Sequence, residues 1–312
     1  MNRNILKTLA EQLSLALLLE VSSYPKPGNV HRLRDNPELK YEAFLATGIY
    51  SLKYFEKGIR RGFRGHRRIV IGDLVYGLLS DVLKEGYSNT CLGSSLLLSL
   101  MSVSLGRMIR CEIRNFNELG RTARESLEET SVYDTIYYYK AVRKAAPSYL
   151  KPSDKTNGFV NIWDSRYKKK IIERNHRLID VLKYSAKFDV VAREAINGFE
   201  EGFRGEVYLR ERLNTHGDLN KAIVETYLYL LSRNIDTIVL LKHGEKTARE
   251  IQDKARVVHN TVVNAGSDWV MIVNELDREF YSRGINPGSI ADLVVEVLGL
   301  FLIRNKWNTI FK

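Results

Sequence analysis

SNTCLGSSLLLSLMSVSLG, residues 88–106, carries no charged side chain anywhere along its length. By length alone such a run is able to cross a bilayer. Six serines dilute it, however, and Asn89 and Thr90 open it with loop-forming residues. Apolar and small residues on every side predict a helix buried in the middle of a large core. Outward from this run, apolar residues return at helical spacing over about Asn2–Ser22, Leu39–Lys57, Gly72–Lys84, Gly93–Met108, Asn117–Glu129 and Tyr133–Ala145. The same period continues over about Tyr167–Lys187, Val190–Phe203, Leu219–Ser232, Thr247–Val263, Asp268–Arg283 and Ile290–Arg304. Stops fall at Pro25 and Pro27, Pro37, Gly86, Pro147, Gly217 and Pro287. Arg68–Ile71 and Ile238–Leu241 look strand-like, but alternation is never sustained, and six prolines are too few for a sandwich or barrel. The expected fold is all-α: one multi-helix domain over residues 1–312, with an irregular segment near 147–164 that serves as linker or flap.

Composition bounds the function. The chain has 312 residues, 44% of them apolar and 27% charged, which excludes disorder as its main state. Its 48 Lys+Arg against 37 Asp+Glu leave a net charge of +11, which calls for an anionic partner: nucleic acid, membrane or a phosphorylated small molecule. Cys91 and Cys111 have no C-x-x-C spacing, which rules out a zinc cluster and fits a reducing, cytoplasmic setting. The N-terminal run Leu13–Leu19 is bracketed by Glu11 and Glu20, so it reads as an amphipathic helix and not as a signal peptide. Few glutamines beside many arginines and tyrosines hint at a thermophilic source.

Five segments are able to carry chemistry. In Glu20-Val21-Ser22-Ser23-Tyr24-Pro25-Lys26-Pro27-Gly28-Asn29-Val30, two prolines stiffen the backbone around a lysine, which would aim Lys26 and neighbouring N–H groups at a phosphate. An ordinary rigid connection accounts for it equally. Asn89-Thr90-Cys91-Leu92-Gly93 precedes the buried helix, whose N-terminus attracts anions, or simply needs a cap. Asp236-Thr237 with Lys242-His243-Gly244 would hold a metal-bound phosphate or terminate helices. Leu276-Asp277-Arg278 is followed by Asn286-Pro287-Gly288-Ser289-Ile290-Ala291-Asp292. Asp292 and Glu296 lie on one stripe of a very apolar helix, a costly placement unless they are paired or metal-bound. Lys57–Arg68 holds six basic residues in twelve and reads as a solvated loop, or as a nucleic-acid patch without a recognised module. No Walker loop, G-x-G-x-x-G or G-x-S-x-G is present.

Taken in order, Glu20-Val21-Ser22, Pro25-Lys26-Pro27-Gly28 with Val30, Asn89-Thr90 with Gly93, Asp236-Thr237, Asp277-Arg278 and Pro287-Gly288 with Ala291-Asp292-Leu293 resemble the triphosphoribosyl-dephospho-CoA synthase family. The resemblance implies a helical fold and transfer of the 5-triphosphoribosyl group of ATP to the 2′-hydroxyl of dephospho-CoA, with adenine leaving. It implies Mg2+ with the ATP, and Asp236, Asp277 and Asp292 as catalytic acids, Asp236 and Asp292 among them as metal ligands. Nucleotide and substrate contacts would come from Glu20, Lys26, Gly28, Asn29, Asn89, Thr90, Gly93, Thr237, Lys242, Asn286 and Gly288. Cys91-Leu92 stand where the bacterial members have His-Lys, and Ile238, Lys242-His243-Gly244 and His31 also depart from them. That pattern resembles the archaeal branch and leaves two other readings: a related nucleotide-dependent transferase with a different phosphorylated acceptor, and a non-catalytic basic helical protein that binds nucleic acid.

Overall fold

The computed structural model describes residues 3–65, 68–150, 156, 158–266 and 268–311. Among them stand fourteen α-helices and no strand: α1 (Arg3–Ser22), α2 (Tyr41–Arg64), α3 (Gly72–Lys84), α4 (Leu92–Arg110), α5 (Leu119–Glu128, after a 3-10 turn at Phe116–Glu118), α6 (Val132–Ala145), α7 (Tyr167–Glu173), α8 (Leu178–Ser185), α9 (Val190–Asn197), α10 (Glu200–His216), α11 (Leu219–Arg233), α12 (Thr237–Val263), α13 (Trp269–Ser282) and α14 (Gly288–Ile310). The all-α expectation holds.

The uncharged run becomes α4, and α2, α3, α5, α9 and α14 pack around it. Among the described residues it is the one helix long and apolar enough to cross a membrane, yet 78% of that window is buried inside the structure. Its serines are accommodated because Ser102 and Ser104 hydrogen-bond carbonyls of their own helix. Small residues also let backbones meet. A Cβ on Gly62 would strike the carbonyl of Val103, and one on Gly106 would strike that of Ile59. The α2–α4 crossing therefore requires glycine on both helices.

That crossing corrects the reading of Lys57–Arg68 as a loop. The helix α2 runs on to Arg64, with Gly58 and Gly62 turned to α4. Lys57 and Arg61 pair with Asp73, and Arg60 pairs with Glu56. His66 and Arg67 of that run lie outside the described residues, as do the expected helix start at Asn2 and residues 151–155 and 157 of the irregular segment.

Other boundaries shift for identifiable reasons. The expected Tyr167–Lys187 helix breaks into α7 and α8, where Asn175 takes a φ of 50°. The expected Val190–Phe203 helix ends at Asn197, because Gly198 and Phe199 both adopt left-handed conformations and Phe199 is wholly buried. A new helix, α10, then runs to His216. Its Gly202 and Gly205 lie against Glu296 and Val297 of α14. The strand-like Ile238–Leu241 is instead the opening of α12, capped by Asp236 and broken at Gly244 (φ 83°). Asp218 caps α11 through the Lys221 N–H, so Thr215–Asp218 is a helix boundary. One buried acid, Asp134, joins two helix starts: its Oδ1 accepts N–H groups from Val70, Ile71 and Gly72, while Oδ2 closes the capping box of α6 with Ser131.

Candidate active site

The segment after α1 is held rigidly by buried polar contacts. Lys26 is 1% exposed, and its Nζ donates to the Glu20 carbonyl at 2.9 Å and pairs with the Glu20 carboxylate. Burial pushes the Glu20 carboxyl up and the Lys26 ammonium down, and the attraction between them opposes both shifts. Farther along, Gly28 N–H donates to Asp277 Oδ1 at 2.9 Å, His31 Nε2 lies 3.2 Å from Asp277 Oδ2, and Arg34 pairs with the same carboxylate. Asn29 Nδ2 donates to the Tyr227 hydroxyl, which in turn donates to the Pro27 carbonyl. Asp277 is thus the clamp that fixes this loop to α13, and Lys26 is committed to Glu20.

Asp292 joins the two ends of the chain. It sits one turn into α14, and its Oδ1 accepts the Ser94 N–H at 2.8 Å, so it closes the start of α4. Gly93 lies so near that a Cβ there would collide with the Asp292 carboxylate. Burial raises the Asp292 carboxyl to about 8, against the Ser94 hydrogen bonds and with the repulsion of Glu20 and Asp236 added. Around it lies a cavity of about 100 Å³, walled by Glu20, Asn29, Asn89, Thr90, Gly93, Asn286, Gly288 and Asp292, with Cys91, Leu92, Tyr149 and Ile238. Eight of the positions singled out in sequence therefore meet in one place. Among the described residues, no Lys or Arg lines that cavity. Cys91 beside it is a free thiol pushed up to about 12 by burial and by Asp292, and Cys111 is also free. The Thr90 hydroxyl bonds the Thr47 hydroxyl at 2.6 Å, and the Asn89 amide oxygen accepts the Cys91 N–H at 3.3 Å. The buried Asn286 Oδ1 has no hydrogen-bond partner.

The remaining expected residues stand outside this wall. Asp236 is fully buried, with Oδ1 accepting the Val239 N–H and Oδ2 the Ile290 N–H, both at 2.9 Å. It caps α12 and α14 together, and burial holds its carboxyl at about 6 despite those bonds. Thr237 accepts the Val190 N–H and faces a second, larger cavity. Lys242 lies at the rim beside Tyr149 and Leu241, paired with Glu38 at 3.2 Å. Glu296, which shares the Asp292 stripe, is turned instead toward Gly202 of α10.

The second cavity, about 530 Å³, shares Leu92, Gly93, Tyr149, Ile238 and Asp292 with the first. Tyr138, Phe159, Trp163, Tyr184, Phe188 and Asp189 line its far side. Sequence reading did not single these out. The dense tyrosines of Val132–Tyr139 and the Pro147–Asp164 segment were the available signals, but nothing local distinguishes them from core packing. The described part of that segment, Tyr149 with Phe159–Trp163, forms wall of the site.

Across residues 6–311 the chain matches the family model described as ATP:dephospho-CoA triphosphoribosyl transferase. No curated protein matches it by sequence. Among solved structures it is similar to a protein of Archaeoglobus fulgidus provisionally named a triphosphoribosyl-dephospho-CoA synthase, with a TM-score of 0.62 and 22% identity over 83% of this chain and 97% of that one. At that identity the likeness shows a common fold. The family expected from the short motifs is the family found: the chain belongs to the ATP:dephospho-CoA triphosphoribosyl transferases.

Proposed function

We propose that the protein transfers the 5-triphosphoribosyl group of ATP to the 2′-hydroxyl of dephospho-CoA, and that Asp292 moves the proton. The observation that carries this is the Asp292 carboxyl. It is raised to about 8, fixed by Ser94 at the start of α4, and exposed to both cavities. In the reaction the bond from ribose C1′ to adenine N9 breaks, and a bond from C1′ to the acceptor oxygen forms. One proton must pass from the acceptor hydroxyl to the departing adenine. A carboxyl that is protonated near neutrality gives its proton to the leaving base, and its carboxylate then takes one from the hydroxyl, which restores the acid. Asp292 alone closes that cycle.

The triphosphate needs positive charge. No group of three His, Cys, Asp or Glu converges on one point among the described residues. That suits magnesium brought by a polyphosphate and met by one or two carboxylates. Asp292, protonated near neutrality, is not a ligand in this reading; Glu20 on the same wall would hold the ion, and the orphaned Asn286 Oδ1 offers a further oxygen. Once bound, the ion would neutralise the triphosphate. Asp236 and Asp277 act in this reading as positioning residues, since their oxygens are used on helix starts and on the loop. Lys26 holds Glu20 in place, and Lys242 at the rim is the cation nearest an entering phosphate.

The test is release of free adenine from ATP and magnesium, with and without dephospho-CoA. Release that requires dephospho-CoA supports the proposal; no release under either condition refutes it. A specific observation favours one second reading: Cys91-Leu92 occupy the wall without a cation. A related phosphorylated acceptor would then restore adenine release where dephospho-CoA does not.

A further inference from the structure

We propose that the 530 Å³ cavity is a chamber for an adenine ring, entered past Asp292. The cavity falls in the size range of small-molecule sites and combines a mostly apolar wall with a few polar groups. Its wall is aromatic to an unusual degree. Phe159 and Tyr184 stack with centroids 5.1 Å apart and planes 28° from parallel, and Phe188 meets Tyr184 edge-on at 5.6 Å. Tyr138, Tyr149 and Trp163 face the same space. Ring faces of this kind hold planar bases by stacking, whatever the base.

Charge selects what enters. The charged residues among the described lining are acids, Asp189 and Asp292, with no Lys or Arg. A triphosphate or diphosphate finds no cation there, whereas an uncharged heterocycle needs none. Asp189 also gives the chamber a hydrogen-bonding anchor for a base. It is fixed at the start of α9, where its Oδ1 accepts the Val191 N–H at 3.0 Å and the Thr237 hydroxyl at 3.3 Å. Burial raises its carboxyl, which favours the protonated form. A protonated carboxyl both donates and accepts, and so matches the adjacent ring nitrogen and amino group of adenine. Inosine presents the same donor and acceptor in reverse order, so the carboxyl anchors either purine. An aliphatic amide chain such as pantetheine offers no ring face.

Position explains why the base belongs here. The chamber and the smaller cavity meet at Asp292, Gly93 and Ile238, so a ribose at Asp292 places its base on the aromatic side and its phosphates outside. Assignment to one of the two adenines of the reaction rests on the transfer proposed above; adenosine binding itself does not.

The experiment is a titration of the full-length protein with adenosine, followed by tryptophan emission and by calorimetry, with inosine and pantetheine in parallel. Adenosine should bind and should perturb the emission of the wild-type protein, and inosine should bind comparably. Replacing Tyr184→Leu or Trp163→Leu should weaken adenosine by about tenfold or more, the usual consequence of losing a stacking face. Inhibition of transfer by free adenine then tells the sources apart: competition with ATP marks the leaving base, and competition with dephospho-CoA marks the acceptor's base. Two results overturn the chamber: unchanged adenosine affinity in both folded variants, or pantetheine binding where adenosine leaves wild-type emission unaltered. If adenosine behaves as expected but adenine is never released from ATP, the chamber stands and the transfer reading falls. If transfer proceeds while both variants keep full adenosine affinity, the chamber falls and the transfer reading stands.

Discussion

Asp292→Asn should make the protein a poorer enzyme and, at alkaline pH, a more stable one. An ordinary aspartate titrates at 3.8, whereas burial holds Asp292 at about 8. Between those two pH values the folded protein binds a proton that the unfolded chain has lost, so stability falls as pH rises through the window. The penalty is absent near pH 4 and complete above pH 8. Four units at ~1.4 kcal/mol each set an upper limit of about 6 kcal/mol. Because the carboxyl still faces cavity water, roughly a third to a half of that, about 2–3 kcal/mol, is the expected share. Asparagine keeps an oxygen for the Ser94 N–H but carries no charge to bury, so the variant should lose the penalty. It also cannot shuttle a proton, which should slow adenine release by roughly 10²–10⁴-fold. The assay is denaturant unfolding of both proteins, without magnesium, at pH 3 and pH 9, beside adenine release across the same range. The expected pattern is equal stability at the low pH, a gain for the variant at the high pH, and lost turnover throughout. A variant that is destabilised to the same degree at both pH values, or that turns over normally, refutes the argument.

Two further predictions concern the frame around the site. Lys26→Met leaves the Glu20 carboxylate buried without its cation, and unfolding experiments should show a loss of about 3–5 kcal/mol; Lys26→Met combined with Glu20→Gln should recover much of it, and no recovery would contradict the pairing. Gly62→Ala forces the α2–α4 backbones apart and should cost about 1–3 kcal/mol in urea unfolding, while alanine at Gly266, where an added Cβ meets nothing and φ is not left-handed, should not act through steric conflict.

Much of this protein was legible along the chain. The uncharged run of residues 88–106 identified a buried helix because a run apolar or small on every side needs packing all round, and its six serines dilute it for a bilayer. Most helix starts were visible where a cap or a proline marks them, as at Asp218 and Pro287. The family was legible as well, since short rigid motifs such as Pro25-Lys26-Pro27-Gly28 keep their order whatever surrounds them. The role of Gly58, Gly62, Gly202 and Gly205 as contact points between helices was not legible. Local sequence does not record which neighbour a residue will touch.

Tertiary structure alone divided the acids. Asp236, Asp277 and Asp292 are chemically the same group; Asp236 and Asp292 sit at or near helix starts, and Asp277 lies within α13. Folding sets Asp236 between two helix starts and Asp277 under the first loop, and leaves Asp292 on a cavity wall with its charge unmatched by any described Lys or Arg lining that cavity. It also brings Tyr149, Trp163 and Tyr184 to the other side of the same carboxyl. Sequence determines which groups are available and which segments become helices, because those depend on near neighbours and periodicity. Whether a carboxyl caps, clamps or reacts depends on the hydrogen-bond donors and the burial that distant segments bring to it, and these exist only once the chain is packed.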